Sequence, residues 1–125
     1  MTAQARKRIV VVEDDPLIRM LYDTILSKHY DLEQAFDGDS GLAVIRHSVP
    51  DLAIIDISLP KMHGFELCQK VRREESLRST KILFVSGKSY AADIKTAKEI
   101  GADDYIVKPF QPDELRGKIA SLLGP

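Results

Sequence analysis

The stretch Asp51-Leu52-Ala53-Ile54-Ile55-Asp56-Ile57-Ser58-Leu59-Pro60 decides the fold of this 125-residue chain. Four apolar residues end in the carboxylate of Asp56, and Pro50 and Pro60 bound the run. A short apolar run between such breakers predicts a strand buried on both faces, which is typical of a parallel sheet covered by helices. Ligands bind such sheets just beyond the carboxyl ends of the strands. The sequence therefore predicts that Asp56 lies where the sheet presents its reactive groups.

Composition predicts a single folded domain. The length is that of one domain, and 44% of the residues are hydrophobic, which is enough for a full core. The net charge of −1 provides no global field to attract nucleic acid or an acidic membrane. No apolar run reaches the roughly 20 residues of a membrane span, and Cys68 is the only cysteine. We expect one cytoplasmic domain over residues 1–125, with residues 1–7 as a flexible extension.

Strands and helices alternate along the chain. Short apolar runs, several of them rich in β-branched residues, predict strands at residues 8–12, 52–56, 81–86 and 105–107, and a weak alternation predicts a strand at residues 31–35. Helical spacing of apolar residues follows each strand, beginning near Pro16, Asp39 or Ser40, Phe65, Tyr90 and Pro112. This alternation predicts an α/β doubly wound sheet of five parallel strands and five helices. Right-handed crossovers leave few topologies, and we expect the flavodoxin-like strand order 2-1-3-4-5.

Local signals predict further details of the helices. The first helix is expected to carry Leu17, Leu21 and Ile25 on its apolar face, with Ile18 and Tyr22 beside them. Asp39 or Ser40 is expected to cap the second helix, and the third is expected to run from Phe65 to about Glu75. Gly101 is expected to close the fourth helix as a C-terminal cap.

The predicted strand order brings the ends of the first and third strands side by side. Glu13, Asp14 and Asp15 follow the first strand and should therefore lie close to Asp56. Carboxylates forced together repel one another, and at least one pKa should rise unless a cation intervenes. The sequence thus predicts an acidic site at this edge of the sheet.

Four motifs stand in order along the chain: Val11-Val12-Glu13-Asp14-Asp15-Pro16, Asp56-Ile57-Ser58-Leu59-Pro60 with Gly64, Val85-Ser86-Gly87, and Gly101 to Phe110 with Lys108-Pro109. Together they resemble the receiver domain of two-component response regulators, of the chemotaxis-receiver type. The resemblance covers about Arg8 to Leu123, which is nearly the whole chain.

The resemblance and the chemistry of carboxylates together imply a magnesium site. Mg²⁺ prefers oxygen ligands, with one or two carboxylates and some waters. We expect Asp14 and Asp56 to bind Mg²⁺, or Mn²⁺, directly and Glu13 to hold a metal-bound water. The resemblance adds the backbone carbonyl of Ser58 as a ligand. Asp15 either supports this site or is a solvated side chain at a helix start.

The resemblance also implies that Asp56 is a phosphoacceptor. A carboxylate can attack a phosphoryl group and form an acyl phosphate. The donor would be a phosphohistidine on a sensor histidine kinase or histidine phosphotransfer protein, or a small phosphodonor. Lys108 and the Ser86 hydroxyl would each contact a phosphoryl oxygen. Receivers commonly use a cis Lys108-Pro109 bond to aim the lysine inward, but the sequence leaves cis and trans open.

Phosphorylation adds about −1.5 to −2 charges, and the resemblance implies a switch that responds to them. Ser86 would move toward the phosphoryl group, and Tyr105 would turn into the vacated space. The fourth helix, fifth strand and fifth helix would then bind a downstream protein or output domain, or form a homodimer. Ser58 and Lys88, two residues beyond Asp56 and Ser86, are predicted to set the lifetime of the phosphorylated form.

Other function classes fit the sequence less well. A pseudo-receiver, which would bind partners without phosphate, is the main alternative. A flavin carrier would need a phosphate-binding loop where this chain has Glu13-Asp14-Asp15. Aspartate-based phosphatases resemble one another in a second aspartate where this chain has Ser58, so we expect no enzyme beyond phosphorylation and dephosphorylation of Asp56 itself. The sequence leaves open whether the receiver stands alone or is a fragment of a longer regulator.

Overall fold

The computed structural model describes residues 6–87 and 91–124. Its strands are β1 (Arg8–Val12), β2 (Asp31–Ala35), β3 (Leu52–Asp56), β4 (Lys81–Ser86) and β5 (Asp104–Val107). Its helices are α1 (Pro16–Leu26), α2 (Gly38–Ser48), α3 (Gly64–Arg73), α4 (Ala91–Glu99) and α5 (Pro112–Leu123), with a 3₁₀ turn at Glu75–Leu77. All strand pairs are parallel, in the order β2-β1-β3-β4-β5. The predicted doubly wound, flavodoxin-like fold is confirmed.

The sheet divides the core into two layers, because successive side chains of a strand point to opposite faces. β3 lies at the centre of the sheet, and all five of its residues are buried. Ala53 and Ile55 pack in the layer that contains residues of α2 and α3. Leu52 and Ile54 pack in the layer that contains residues of α1 and α5. Burial on both faces explains the continuous apolar run that the sequence shows before Asp56.

The apolar face of α1 differs from the predicted one. Tyr22, Ile25 and Leu26 are buried against the sheet, whereas Leu17 is 72% exposed and Leu21 is 37% exposed. The helix carries two apolar stripes, and the sheet covers only the one that contains Tyr22, whose ring lies 5.8 Å from that of Phe110. The expectation that Leu17 and Leu21 belong to the buried face is therefore wrong.

The second helix begins earlier than predicted. Asp37, not Asp39 or Ser40, is its N-cap, because Asp37 Oδ1 accepts from the amide of Ser40 at 2.8 Å. The Ser40 hydroxyl in turn accepts from the amide of Asp37 at 3.3 Å, so the two residues form a reciprocal capping box. A side chain at Gly38 would collide with Met62 of the segment before α3. The tight start of α2 therefore requires this glycine.

The remaining boundaries agree with the sequence to within a few residues. α3 ends at Arg73 rather than at about Glu75, where the chain passes into the 3₁₀ turn. Gly101 has a φ of 104° and follows α4 as predicted. Tyr90, the predicted start of α4, lies outside the described residues, as does most of the predicted extension at residues 1–7. None of the described helices has the length and apolarity to cross a membrane.

Candidate functional site

The ends of β1 and β3 bring three acids together, as predicted. Carboxylate oxygens of Glu13, Asp14 and Asp56 all lie within 4.8 Å of one another. Glu13 is 1% exposed and Asp56 is 7% exposed, whereas Asp14 is exposed to solvent. Three hard oxygen donors at this spacing suit a divalent cation such as Mg²⁺. The cluster therefore fits the predicted metal site on its donor set alone.

Asp15 is not a member of this cluster. Its Oδ1 accepts from the amide of Leu17 at 2.9 Å and caps α1. Its own amide donates to Glu13 Oε2 at 3.1 Å. The sequence leaves two roles open for Asp15. In the structure its side chain caps the helix start, and only its backbone contacts the site.

Lys108 lies between two of the acids. Its Nζ donates to Glu13 Oε1 at 2.8 Å and to Asp56 Oδ2 at 2.9 Å. The backbone reaches this position through a cis Lys108–Pro109 bond, and the Lys108 amide donates to the Ser86 carbonyl at 2.6 Å. The site thus holds one lysine and three carboxylates, so it keeps excess negative charge.

The pKa values of the site reflect this crowding. Burial raises the pKa of Glu13 from 4.5 to about 6, against the opposing hydrogen bond from Lys108, and the charge of Asp56 raises it further. Burial alone would lower the pKa of Lys108, but the hydrogen bonds to Glu13 and Asp56 and the charges of these acids outweigh it, so the net shift is upward. Lys108 therefore stays positively charged. The Glu13 carboxyl is costly to ionise, and another positive charge nearby would stabilise its ionised form.

The segment between β3 and α3 holds the other oxygen of Asp56. Asp56 Oδ1 accepts from the amide of Ser58 at 2.9 Å, and the Gly64 amide donates to the Ile57 carbonyl at 2.9 Å. A Cβ at Gly64 would lie 2.6 Å from the Asp56 carbonyl oxygen. Only glycine therefore allows this segment to fold so closely against the end of β3. The Ser58 carbonyl as a metal ligand stays a prediction.

The predicted switch residues lie on one face of the sheet. Tyr105 of β5 pairs with Phe84 of β4, and Ser86 is two residues beyond Phe84. Side chains two residues apart on a strand share a face, so Ser86 and Tyr105 are diagonal neighbours. Both are half-buried. Lys88, the predicted partner of Ser58 in setting the lifetime, lies outside the described residues.

An apolar surface borders the site on the α1 side. Leu17, Met20 and Leu21, called here the α1 strip, are all exposed. Beside it, a cleft of about 340 Å³ is lined by Ile18, Leu21, Gly87, Lys108, Pro109 and Phe110. Lys108 thus forms part of both the acidic site and the wall of this cleft.

Sequence reasoning missed one residue of the site. Arg19 of α1 donates through Nη1 to the backbone carbonyls of Glu13 and Asp14. An arginine on a mostly apolar helix gives no specific sequence signal for such a contact. Arg19 lies six residues after Glu13 and five after Asp14, across the start of α1, and this spacing was the only indication in the sequence.

The fold and the site define a class of doubly wound α/β domain whose acids gather at the switch point between β1 and β3. A family model described as "Response regulator receiver domain" matches residues 9–120. The chain belongs to this family. Receiver domains are signalling switches rather than enzymes with an outside substrate, and they work with histidine kinases and output domains.

Individual relatives agree with this assignment. The transcriptional regulatory protein DltR of Streptococcus agalactiae is 42% identical over 113 residues, which are 90% of this chain and 50% of that protein. A CheY-like receiver domain protein from Methanospirillum hungatei is 35% identical with a TM-score of 0.89, covering 95% of this chain and 94% of that one. Chemotaxis protein CheY4 of Vibrio cholerae is 30% identical with a TM-score of 0.91, covering 95% and 100%. The chain spans about half the length of the curated relatives it matches.

Proposed function

We propose that this chain is the phosphoacceptor switch of a two-component phosphorelay in the cytoplasm. Asp56 would receive a phosphoryl group from a phosphohistidine of a sensor histidine kinase or histidine phosphotransfer protein. The observation that carries the proposal is the setting of Asp56. Its carboxylate lies at a strand end, within 4.8 Å of two further acids, with a lysine ammonium 2.9 Å from Oδ2.

The acid cluster suits Mg²⁺, with Mn²⁺ as a substitute of similar ligand preference. Asp14 and Asp56 would bind the ion directly, Glu13 would hold one of its waters, and the Ser58 carbonyl would complete the protein's contribution. When bound, the ion supplies positive charge that screens the approach of a phosphoryl group to the carboxylate. The buried, charge-crowded state of Glu13 supports this fit, because a second cation would offset the repulsion among the acids.

With the divalent ion in place, the groups that form and break bonds belong to this chain and the donor. An oxygen of Asp56 forms a bond to phosphorus while the bond from phosphorus to the donor's imidazole nitrogen breaks, and that nitrogen keeps the electron pair. Lys108 is already within hydrogen-bond distance of Asp56 and would contact a phosphoryl oxygen of the product. Ser86, at the end of the neighbouring strand, would donate its hydroxyl to another.

The phosphorylated state would be transmitted through β4 and β5. Ser86 would be drawn toward the phosphoryl group, and Tyr105 would turn inward on the same face of the sheet. Lys118 of α5 lies 5.6 Å from the Tyr105 ring centroid and 3.2 Å from Asp104 Oδ1, so a turn of Tyr105 would change the surface of α5. The α4-β5-α5 surface would then bind a downstream protein or an output domain, or form a phosphorylation-dependent homodimer. Ser58 and Lys88 would set how fast the acyl phosphate is hydrolysed.

The phosphodonor would bind at the α1 strip. A donor protein has to bring its phosphohistidine to Asp56, and Lys108 links that site to the apolar cleft beside α1. Exposed apolar side chains such as Leu17 and Met20 are typical of protein-binding surfaces. The net charge of −1 gives this domain no general affinity for nucleic acid.

The proposal is tested by labelling with acetyl phosphate and Mg²⁺, read by intact mass. Wild type should gain the mass of one phosphoryl group. EDTA should prevent this labelling, and hydroxylamine, which cleaves acyl phosphates, should remove the label. Asp56→Asn should take up no label, whereas Asp113→Asn, a matched change at a 98% exposed side chain, should label like wild type. Equal labelling of Asp56→Asn would assign the phosphate elsewhere. No labelling of any variant would favour the pseudo-receiver.

A further inference from the structure

The loop between β1 and α1, residues 13–15, carries two of the three clustered acids, and one arginine holds its backbone. Arg19 Nη1 donates to the Glu13 carbonyl at 2.8 Å and to the Asp14 carbonyl at 2.9 Å. We propose that Arg19 is a positioning residue that keeps Glu13 and Asp14 in the geometry that binds a divalent cation. This inference rests on the metal site proposed above.

In the part of the chain that the structure describes, the other hydrogen bonds of the loop use different backbone groups from these two carbonyls. The Glu13 amide donates to the Ala35 carbonyl of β2 at 3.0 Å, which fixes the start of the loop. The Asp15 amide donates to Glu13 Oε2 at 3.1 Å, which turns the end of the loop toward the acids. With the carbonyls bound to α1 and this amide bound to a carboxylate, the two peptide groups that flank Asp14 are fixed. The direction of the exposed Asp14 side chain is therefore set from its backbone.

Arg19 is itself fixed to the edge of the sheet. Its backbone carbonyl accepts from Gln34 Nε2 of β2 at 2.8 Å. Among the described residues, Gln34 Oε1 is the one buried side-chain oxygen or nitrogen without a hydrogen-bond partner. Only one orientation of the amide can make the Arg19 contact, and it is kept although it leaves that oxygen unsatisfied. Arg19 thus connects β2, α1 and the acidic loop.

Two effects of Arg19 on metal binding oppose each other. Its positive charge near the acids disfavours a cation, but the side chain is only half-buried, so solvent and salt weaken that repulsion. Its hydrogen bonds order the loop, and residues that orient metal ligands typically change metal affinity by about 10–100-fold. We expect the ordering effect to dominate at the low end of that range, because Arg19 contacts the backbone of the ligands and not their carboxylates.

The test compares Mg²⁺ affinity, measured by calorimetric titration, with stability, measured by urea denaturation in EDTA. Arg72 is a matched control, because it also donates to two backbone carbonyls, of Thr80 at 2.7 Å and Gly101 at 2.9 Å. These carbonyls precede β4 and β5 and so lie at the opposite end of the sheet. Arg19→Ala should weaken Mg²⁺ binding about tenfold, and Arg19→Lys should restore part of the loss. Arg72→Ala should lower stability and leave the Mg²⁺ dissociation constant unchanged.

The outcomes separate this inference from the proposed function. Wild type that binds no Mg²⁺ would overturn both. Wild type that binds Mg²⁺, with Arg19→Ala binding equally well, would overturn the role of Arg19 alone. A similar loss of affinity in Arg72→Ala would also overturn it, because the effect would then follow general stability. Should Arg19→Ala fail to fold, Arg19→Met decides, since it keeps much of the side-chain bulk but has no donor for the two carbonyls, and unchanged Mg²⁺ affinity there would refute the proposal.

Discussion

Replacing Glu13 by glutamine should make the metal-free protein more stable. Glu13 is 1% exposed, and burial raises its pKa from 4.5 to about 6. The folded protein therefore binds this proton more tightly than the unfolded chain does. The contribution of Glu13 to stability is greatest below pH 4.5, falls as the pH rises toward 6, and stays constant above that.

The size of the effect follows from the two pKa values. The pKa of Glu13 differs by about 1.5 between the unfolded and folded states. At about 1.4 kcal/mol for each pKa unit, the ionised carboxylate lowers the free energy of unfolding by about 2 kcal/mol. Glutamine has nearly the same shape and no charge, so it should avoid this cost. Its amide nitrogen cannot accept one of the two hydrogen bonds that the Glu13 oxygens receive from Lys108 and the Asp15 amide, which should offset about 1 kcal/mol of the gain. Glu13→Gln should therefore raise the free energy of unfolding by about 1 kcal/mol near pH 7.5, and this gain should be lost as the pH falls toward 4.5.

The assay is urea denaturation in EDTA at several pH values between these limits. Glu99→Gln, a change at an exposed glutamate of α4, serves as the control and should shift stability by less than about 0.5 kcal/mol at every pH. In a parallel titration, Glu13→Gln should bind Mg²⁺ less tightly than wild type. A variant less stable than wild type at pH 7.5, or a gain that does not shrink on acidification, would refute the reasoning.

Three further predictions concern stability, each measured by chemical denaturation. Val49→Asn should stabilise the protein by about 1 kcal/mol, because Val49 ends α2 in the left-handed region with φ 46° and is 49% exposed; a loss of stability would contradict this. Ile54→Val should cost about 1 kcal/mol at a fully buried site, and no change would argue against tight packing there. Gly64→Ala should cost about 1–3 kcal/mol through its clash with the Asp56 backbone, whereas Gly117→Ala, with open space around its Cβ, should stabilise α5 by about 1 kcal/mol.

Most of the fold was predictable because every strand except β2 is a short apolar run, and even β2 shows a weak alternation. The run before Asp56 carries the decisive information, since a short apolar run between two prolines favours a strand buried on both faces. The acid cluster was predictable for a related reason: strand order alone brings Glu13 and Asp14 next to Asp56. Lys108 lies beside these acids, as predicted.

The errors arose where the sequence offered equivalent choices. α1 has two apolar stripes, and only the packing of Tyr22 against Phe110 decides which one is buried. Asp37, Asp39 and Ser40 are all good cap residues, and the close approach of Gly38 to Met62 selects Asp37. Arg19 was missed because its partners are backbone carbonyls, which every residue carries and no sequence pattern identifies.

The position of β2 at one end of the sheet has a consequence for solubility. In the sheet formed by residues 6–87 and 91–124, β2 pairs only with β1, so its other side presents a row of backbone groups that could recruit a strand from another molecule. Its two exposed carboxylates, Asp31 and Glu33, would lie next to their own copies in a parallel, in-register stack. Like charges face to face make that stacking unfavourable, so the weakly apolar sequence of β2 protects the domain against aggregation.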